Sequence, residues 1–470
     1  MRFGCSILLL LTVHFAFGDV IHLKNGRTIW ADQVREDKNH DRIEYDVGED
    51  SYAIPKSSVE RIDAGGAAPA RSQAGGAGSV PDFTPSAPSF SHEGDVAEKV
   101  IRDGKLNTDA LSSLDQSSPE TAATGYFLAG KYELDHGNFP QAKRYYESAL
   151  RFQPDNPTLL VYYAATLVRT GQAAAALPYA ERAARLAPDS ADAMAMLGFV
   201  QFGTDHTADA IRSWKKSLGL RPDATVSEYL ARAERESTAE SDFSQRESSH
   251  FNLHFEGKDT SEAFRRDLLA TLDADYDDLV RDLGYAPRNN IAVTLYTQQA
   301  FFDVTRAPAW TGAINDGKLR IPISGVNSMT SDLARVLKHE LTHSFVSQMS
   351  SNRCPTWLNE GIAQLEEGKS SASNGRALSQ MFSAGAEAPF NQLEGSFMGY
   401  SGMEANAAYA ESLAAVEYIR DAYGMSDIQR ILQRLSEGSS TEAALRATIH
   451  CDYRQLQDEM TRWLSDHYGH

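Results

Sequence analysis

Cysteine is scarce in this chain: three residues in 470, at Cys5, Cys354 and Cys451. Neither Cys354 nor Cys451 has a partner at the spacing of a metal site, so a thiolate centre is excluded. Basic charge is also short. The chain has 45 Lys and Arg against 64 Asp and Glu, a formal charge of −19. That balance argues against nucleic acid and anionic membrane surfaces as partners, and otherwise describes a solvated surface. Long apolar runs are missing as well. The one that stands out, Ile7 to Phe17, is interrupted by Thr12 and His14 and is too short to span a bilayer. Arg2 before it and Ala16-Phe17-Gly18 at its end make residues 1–18 read as a signal peptide. Cys5 precedes most of the run, which is the wrong place for a lipoprotein cysteine. The expectation is an exported protein, periplasmic or secreted, with no membrane span after cleavage. In an oxidising compartment Cys354 and Cys451 admit either one disulfide or two free buried thiols.

What is present divides the chain into segments. Residues 19–63 read as a small β module. Val20 to Leu23 and Thr28 to Trp30 flank Asn25-Gly26, a hairpin signal, and short alternating runs follow at 42–45, 51–55 and 59–62. Residues 64–94 are rich in Ala, Gly, Ser and Pro and read as a flexible linker. Residues 123–222 repeat with period 34: Pro154, Pro188 and Pro222, then Gly137, Gly171 and Asp205, then Ala142, Ala176 and Ala210. The packing position after each Ala is Tyr146, Ala180 or Trp214. Helices from Val96 to Leu114 and from Val226 to Arg235 are expected to cap this stack, giving a repeat segment over 95–235. A charged stretch, Glu234 to Ser249, separates it from a last segment, 250–468.

That last segment mixes strands and helices. Phe251 to Phe255 alternates as a strand, and His250 and His254 on it read as structural. A helix is expected over Ala263–Leu283, and a central strand over Ile291–Tyr296. Gly312 to Ile314 and Lys318 to Ile323 read as a hairpin-like pair in which Pro322 hints at an edge strand. Residues 332–349 read as a helix capped by Ser331 or Asp332, and 370–470 as further helices.

The chemistry concentrates at residues 337–367. His339, Glu340 and His343 stand in the order H-E-x-x-H, which on a helix sends both imidazoles from one face toward a single ion. Glu340 sits beside such an ion, in position to take a proton from an activated water. Two imidazoles and a carboxylate with one open position suit zinc. The H-E-x-x-H-x-x-G-x-x-H alternative fails, because its Gly and His positions are Val346 and Met349. Downstream, with 16 residues between, Glu360 follows His343 inside Trp357-Leu358-Asn359-Glu360-Gly361-Ile362-Ala363.

These two motifs resemble the gluzincin metallopeptidases, the thermolysin-like and aminopeptidase-like clan of the peptidase MA type. The resemblance implies His339 and His343 as metal ligands, Glu360 as the third ligand from a second helix, and Glu340 as general base. Glu366 and Glu367 compete for the place of Glu360, on a helix where Glu367 shares its face about two turns on. A Tyr after the site is implied as oxyanion donor: Tyr409, with Tyr418 and Tyr400 as rivals. Gln364, one turn past Glu360, could hydrogen-bond a ligating His. A sheet edge within 312–323 is implied as the strand along which substrate lies. The 34-residue period resembles the tetratricopeptide repeat, and implies a concave groove for a peptide or partner protein. The expected fold is multidomain α+β: a β module, an α-helical repeat solenoid and a thermolysin-like α+β domain. The expected function is zinc-dependent peptide hydrolysis with a partner- or substrate-binding array. The rival is a repeat scaffold whose zinc domain cuts little, against which the intact Glu340 argues.

Overall fold

The computed structural model describes residues 19–24, 28–31, 33–37, 42–47, 50–63, 83, 85–86, 93–102, 104–257, 260–305, 313–315, 317–323, 328–397 and 400–469. The expected leader at 1–18, the Asn25-Gly26 turn and most of the expected linker lie outside these residues. The β module forms two antiparallel sheets. Asp19–Leu23 lies between Thr28–Ala31 and Val59–Asp63, and Arg42–Val47 lies between Gln33–Asp37 and Asp50–Pro55. Gln33–Asp37 is the strand the sequence hid. It has one apolar residue, Val34, so no alternation marks it, and pairing with Arg42–Val47 makes it a strand. The module forms a compact unit separate from most of the chain.

The repeats are three helical hairpins: Pro119–Asp135 with Phe139–Phe152, Pro157–Arg169 with Ala173–Leu186, and Ala191–Gly203 with Thr207–Leu220. The period is a packing rule. A side chain at Gly130 would overlap the Tyr146 ring, and one at Gly198 would overlap Trp214. The second repeat has Ala164 and Ala180 at these two positions, so it lacks the large ring and has a small side chain on both helices. The turn inside each hairpin needs a left-handed residue: Gly137 at φ 73°, Gly171 at φ 72°, and Asp205 at φ 66°. The third repeat therefore replaces a permissive Gly by a strained Asp. The caps are Glu93–Val100 and Thr108–Ser113 before the stack and Ala224–Ala239 after it.

The last segment holds a five-stranded mixed sheet, in the order Ile314–Asn315, Leu319–Pro322, Ile291–Tyr296, Phe251–Glu256, Phe243–Glu247. Ile291–Tyr296 is central and buried along its length, as its unbroken apolar run requires. Pro322 does not mark the edge. Its strand is the second, and the edge is Ile314–Asn315. Proline is tolerated because it is the last residue of its strand, and Ile323 donates the next bond to the Tyr296 carbonyl. Helix Glu262–Leu283 shares one apolar core with helix Ser331–Met349 through residues such as Leu272, Tyr276, Leu341 and Phe345. The cap of the second is Thr330, whose hydroxyl accepts from the Leu333 N–H, one residue earlier than expected. Helices Thr356–Glu366, Gly402–Tyr423, Met425–Ser436, Thr441–Ile449 and Tyr453–Tyr468 close the domain. Among the described residues no helix is long and apolar enough to cross a membrane.

The charged stretch expected to separate repeats from sheet does not do so. Helix Ala224–Ala239 runs through its first part, and Phe243–Glu247 pairs as the far edge strand. Inside it Glu236 is fully buried, at 0 % exposure. Its two oxygens meet Lys318 Nζ at 2.6 Å and Arg320 Nη2 at 2.8 Å, the first from the residue just before the second strand of the sheet and the second from within it. Lys318 also reaches Asp205 at 2.7 Å, and Asp205 reaches His254 Nε2 at 2.7 Å. Arg320 donates to the Tyr296 hydroxyl, which is bonded in turn to Glu240. The strained Asp205 thus docks the repeat stack onto the sheet.

Burial alone would raise the Glu236 carboxyl, but Arg320 and Lys318 outweigh it and lower it from 4.5 to about 2. Asp205 is lowered by the same balance, with His254 and Lys318 against burial. A depressed carboxyl stabilises the fold above its unfolded value and loses that contribution as pH falls toward its folded value. The docking of repeats to sheet is therefore expected to weaken below about pH 4, read as falling stability of the full chain between neutral pH and pH 3. Glu236→Ala is expected to cost about 3–5 kcal/mol in denaturant unfolding, because two buried cations lose their counter-charge. A cost of about 1 kcal/mol or less, the worth of a surface pair, would overturn the account of a dry network.

Candidate metal centre

Helix Ser331–Met349 carries H-E-x-x-H, and His339 and His343 leave it together, ring centroids 4.7 Å apart. After the helix, Ser351 and Asn352 adopt left-handed φ values of 54° and 60° and turn the chain. Pro355 then opens helix Thr356–Glu366, which brings Glu360 back to the histidines. Glu360 Oε2 lies 3.5 Å from His339 Nε2 and 3.7 Å from His343 Nε2. Donor atoms bound to one tetrahedral ion at about 2.0–2.1 Å are about 3.3 Å apart. The donor set therefore fits a zinc-sized ion, and the three residues form a candidate metal-binding group among the described residues.

The far sides of both rings are occupied. His339 Nδ1 contacts Glu367 Oε1 at 3.2 Å, and His343 Nδ1 contacts Asn359 Oδ1 at 3.0 Å. Each contact fixes its ring so that Nε2 faces the centre. Glu367, weighed from the sequence as a rival ligand, is instead the carboxylate behind His339, and Lys369 pairs with it at 2.9 Å. Glu366 is buried among the charges of Asp282, Lys338 and Asp278, and burial foremost pushes its carboxyl up to about 7. Burial would lower the His339 imidazole, but Glu360 and Glu367 raise it to about 10, so protons and a metal compete for this site.

Glu340 follows His339 on the helix. Burial raises its carboxyl above the ordinary range, and the two histidines partly offset this, the direction a general base needs. Its backbone carbonyl accepts from Asn315 Nδ2 at 2.7 Å, and the same amide contacts Ser344 Oγ at 2.6 Å. The edge strand is thus tied to the metal helix beneath the base. Tyr409, on helix Gly402–Tyr423, stands edge-on to Phe397. Burial and the nearby charges of Glu360 and Glu340 raise its phenol. The rival hydroxyls are committed elsewhere: Tyr400 donates to the Gln392 carbonyl and Tyr418 to Glu459.

One expectation is corrected. Gln364 does not reach a histidine; its amide donates to the Tyr409 carbonyl at 2.9 Å and to the Glu360 carbonyl at 3.3 Å. Gly361 permits a close approach of helix Gly402–Tyr423: a side chain there would overlap the Ser412 carbonyl and Val416. Together these clamp the Tyr409 helix to the Glu360 helix. Cys354 and Cys451 are both free. Asn359 and Asn315 were missed from the sequence. Asn359 has a local signal, its place directly before Glu360, whereas Asn315 acts across 25 residues and has none.

The fold and site define a helix-borne candidate centre of two histidines and one carboxylate, with the Glu340 carboxyl on the same helix. Residues 274–466 match the family model of the Peptidase MA superfamily. This segment is therefore peptidase MA-like, and it contains every residue of the centre. No curated protein matches the chain. Among solved structures, residues 41 to the end of MamA from Desulfovibrio magneticus RS-1 are 18% identical with a TM-score of 0.26, over 32% of this chain and 88% of that one. MamA of MSR-1 is 21% identical with a TM-score of 0.25, over 32% of this chain and 82% of that one.

Glu360→Ala is expected to leave purification depleted of zinc after dialysis against a weak chelator, while Glu366→Ala keeps one ion per chain. Glu367→Ala should fall between, binding about 10–100-fold more weakly because His339 loses its orienting partner. Elemental analysis of the three variants decides it, and full zinc in Glu360→Ala would remove it from the ligand set.

Proposed function

We propose that the protein is an exported zinc metallopeptidase of the gluzincin type, with a tetratricopeptide-like array that binds a partner or substrate protein. The observation that carries this reading is the convergence of the Nε2 atoms of His339 and His343 on one oxygen of Glu360, with Glu340 on the same helix. The match of residues 274–466 to a peptidase superfamily supports hydrolysis of peptide bonds. The apolar run at 7–17 supports export.

His339, His343 and Glu360 would hold zinc, which when bound would supply Lewis acidity for activating a carbonyl and a water. Glu340 accepts the proton of the attacking water and delivers it to the leaving nitrogen. Its partial burial beside two imidazoles keeps it basic enough to accept and acidic enough to return the proton. Tyr409 donates its hydroxyl to the developing oxyanion. Its raised phenol keeps that proton in place at neutral pH. The edge strand Ile314–Asn315 is the segment along which an extended substrate would pair. Asn315 holds that strand against the helix bearing the base.

Purified protein is expected to cleave an unstructured polypeptide, and a chelator to stop it. Glu340→Gln should keep one zinc per chain and lose nearly all activity, since the base is removed and the ligands stay. Tyr409→Phe should lower kcat about 10²–10³-fold with KM little changed, the signature of an oxyanion donor. Mass-spectrometric analysis of a peptide-library digest reads all three. Full activity in Glu340→Gln would overturn the peptidase reading.

A further inference from the structure

The array's own groove is occupied. Phe83, Pro85 and Ser86 belong to the Ala-, Gly- and Ser-rich stretch between the β module and the repeats, yet Phe83 and Pro85 are buried. Phe83 lies against Phe199, ring centroids 5.1 Å apart. The Tyr162 hydroxyl donates to the Pro85 carbonyl at 2.8 Å, and Arg169 Nη2 approaches the Phe83 carbonyl at 3.4 Å. Arg221 Nη1 donates to Ser86 Oγ at 2.7 Å, while its Nη2 is held by Asp192 at 2.5 Å.

These contacts have the layout of a peptide site. Tyr162 and Arg169 stand on the first helix of the second hairpin, and Phe199 and Asp192 on the first helix of the third. The first helices of the second and third hairpins pack side by side, and in a stack of this kind the free faces of such helices form the concave surface. Tyr162 and Arg169 meet the carbonyls of Pro85 and Phe83, so the array contacts backbone as well as side chains of this stretch. Pro85 suits such a segment, since it has no N–H to satisfy and pre-sets an extended chain before it. The Phe83 ring and the Ser86 hydroxyl carry side-chain selectivity. A linker of small residues has no packing need for a buried Phe at this one place.

We propose that the inner face of the repeat array is a recognition site for extended peptides of the type Phe-x-Pro-Ser, and that Phe83, Pro85 and Ser86 are the anchors of an intramolecular ligand that fills it. The occupant in trans is an exposed, unstructured segment of a partner or substrate protein with an aromatic residue two places before a proline. That segment must displace the internal copy to bind. This deepens the partner-binding reading of the array and does not depend on whether the metal centre hydrolyses peptides.

The test uses the full chain and a fluorescein-labelled peptide of its own residues 80–89, followed by anisotropy. Wild type is expected to bind weakly, because a tethered competitor acts at an effective concentration of about millimolar. Phe83→Ala should bind about ten-fold or more tightly than wild type, and a peptide whose own Phe is replaced by Ala should lose that gain. Equal binding by wild type and Phe83→Ala, or equal binding of both peptides, overturns the proposal. If Phe83→Ala binds a pool of unrelated extended peptides but not 80–89, partner binding stands and this inference falls. Should Phe83→Ala lose its helical circular dichroism, Ser86→Ala serves instead, since it removes only an exposed contact with Arg221. A smaller gain is then expected, and no gain overturns the proposal.

Discussion

Much of this structure hangs on one buried carboxylate. Glu236 enters the interface between the repeat stack and the sheet with no exposure, and two cations, Lys318 just before the second strand and Arg320 within it, converge on it. A lone carboxylate there would be expelled or protonated; with Lys318 and Arg320 it stays charged. The consequence is geometric. Lys318 and Arg320 flank Leu319, which pairs with Asn315 on the edge strand, and Asn315 grips the helix that carries Glu340. The repeats, the sheet edge and the metal helix form a chain of direct contacts. Replacing this network with apolar groups could serve stability as well, so its distinctive contribution is register: charges on both sides admit one docking.

The metal centre follows the same economy. Three donor atoms face inward, and the groups behind them decide which atoms those are. Glu367 and Asn359 occupy the Nδ1 sides, so both imidazoles present Nε2. Gly361 and Gln364 bind the Glu360 helix to the Tyr409 helix, which sets Tyr409 relative to Glu360. One short helix thus supplies Glu360, the Asn359 amide behind His343 and the spacing to the next helix.

The repeat array has two faces in use. Its turn at Asp205 and its final helix dock on the sheet, while its inner face holds Phe83 and Pro85. A partner that takes the inner face competes with a short extended segment and need not disturb the docked side.

The sequence by itself determined whatever is local or periodic. The 34-residue period encoded three hairpins, because the turn and the packing positions recur in each, and in the first and third a Gly on one helix receives a large ring from the other. H-E-x-x-H encoded two inward imidazoles, because helical pitch alone puts residues four apart on one face. The unbroken apolar run at Ile291–Tyr296 encoded a central strand. Tertiary structure alone decided what depends on residues far apart. The stretch from Glu234 to Ser249 looks solvated because charge usually is, and only the approach of Lys318 and Arg320 makes burial of Glu236 tolerable. Pro322 looked like an edge residue because nothing nearby in sequence tells where a strand ends against its neighbour. Glu367 and Glu360 share a helical face, and which of them meets Nε2 was settled by the turn at Ser351 and Asn352, which sets how far the second helix slides along the first.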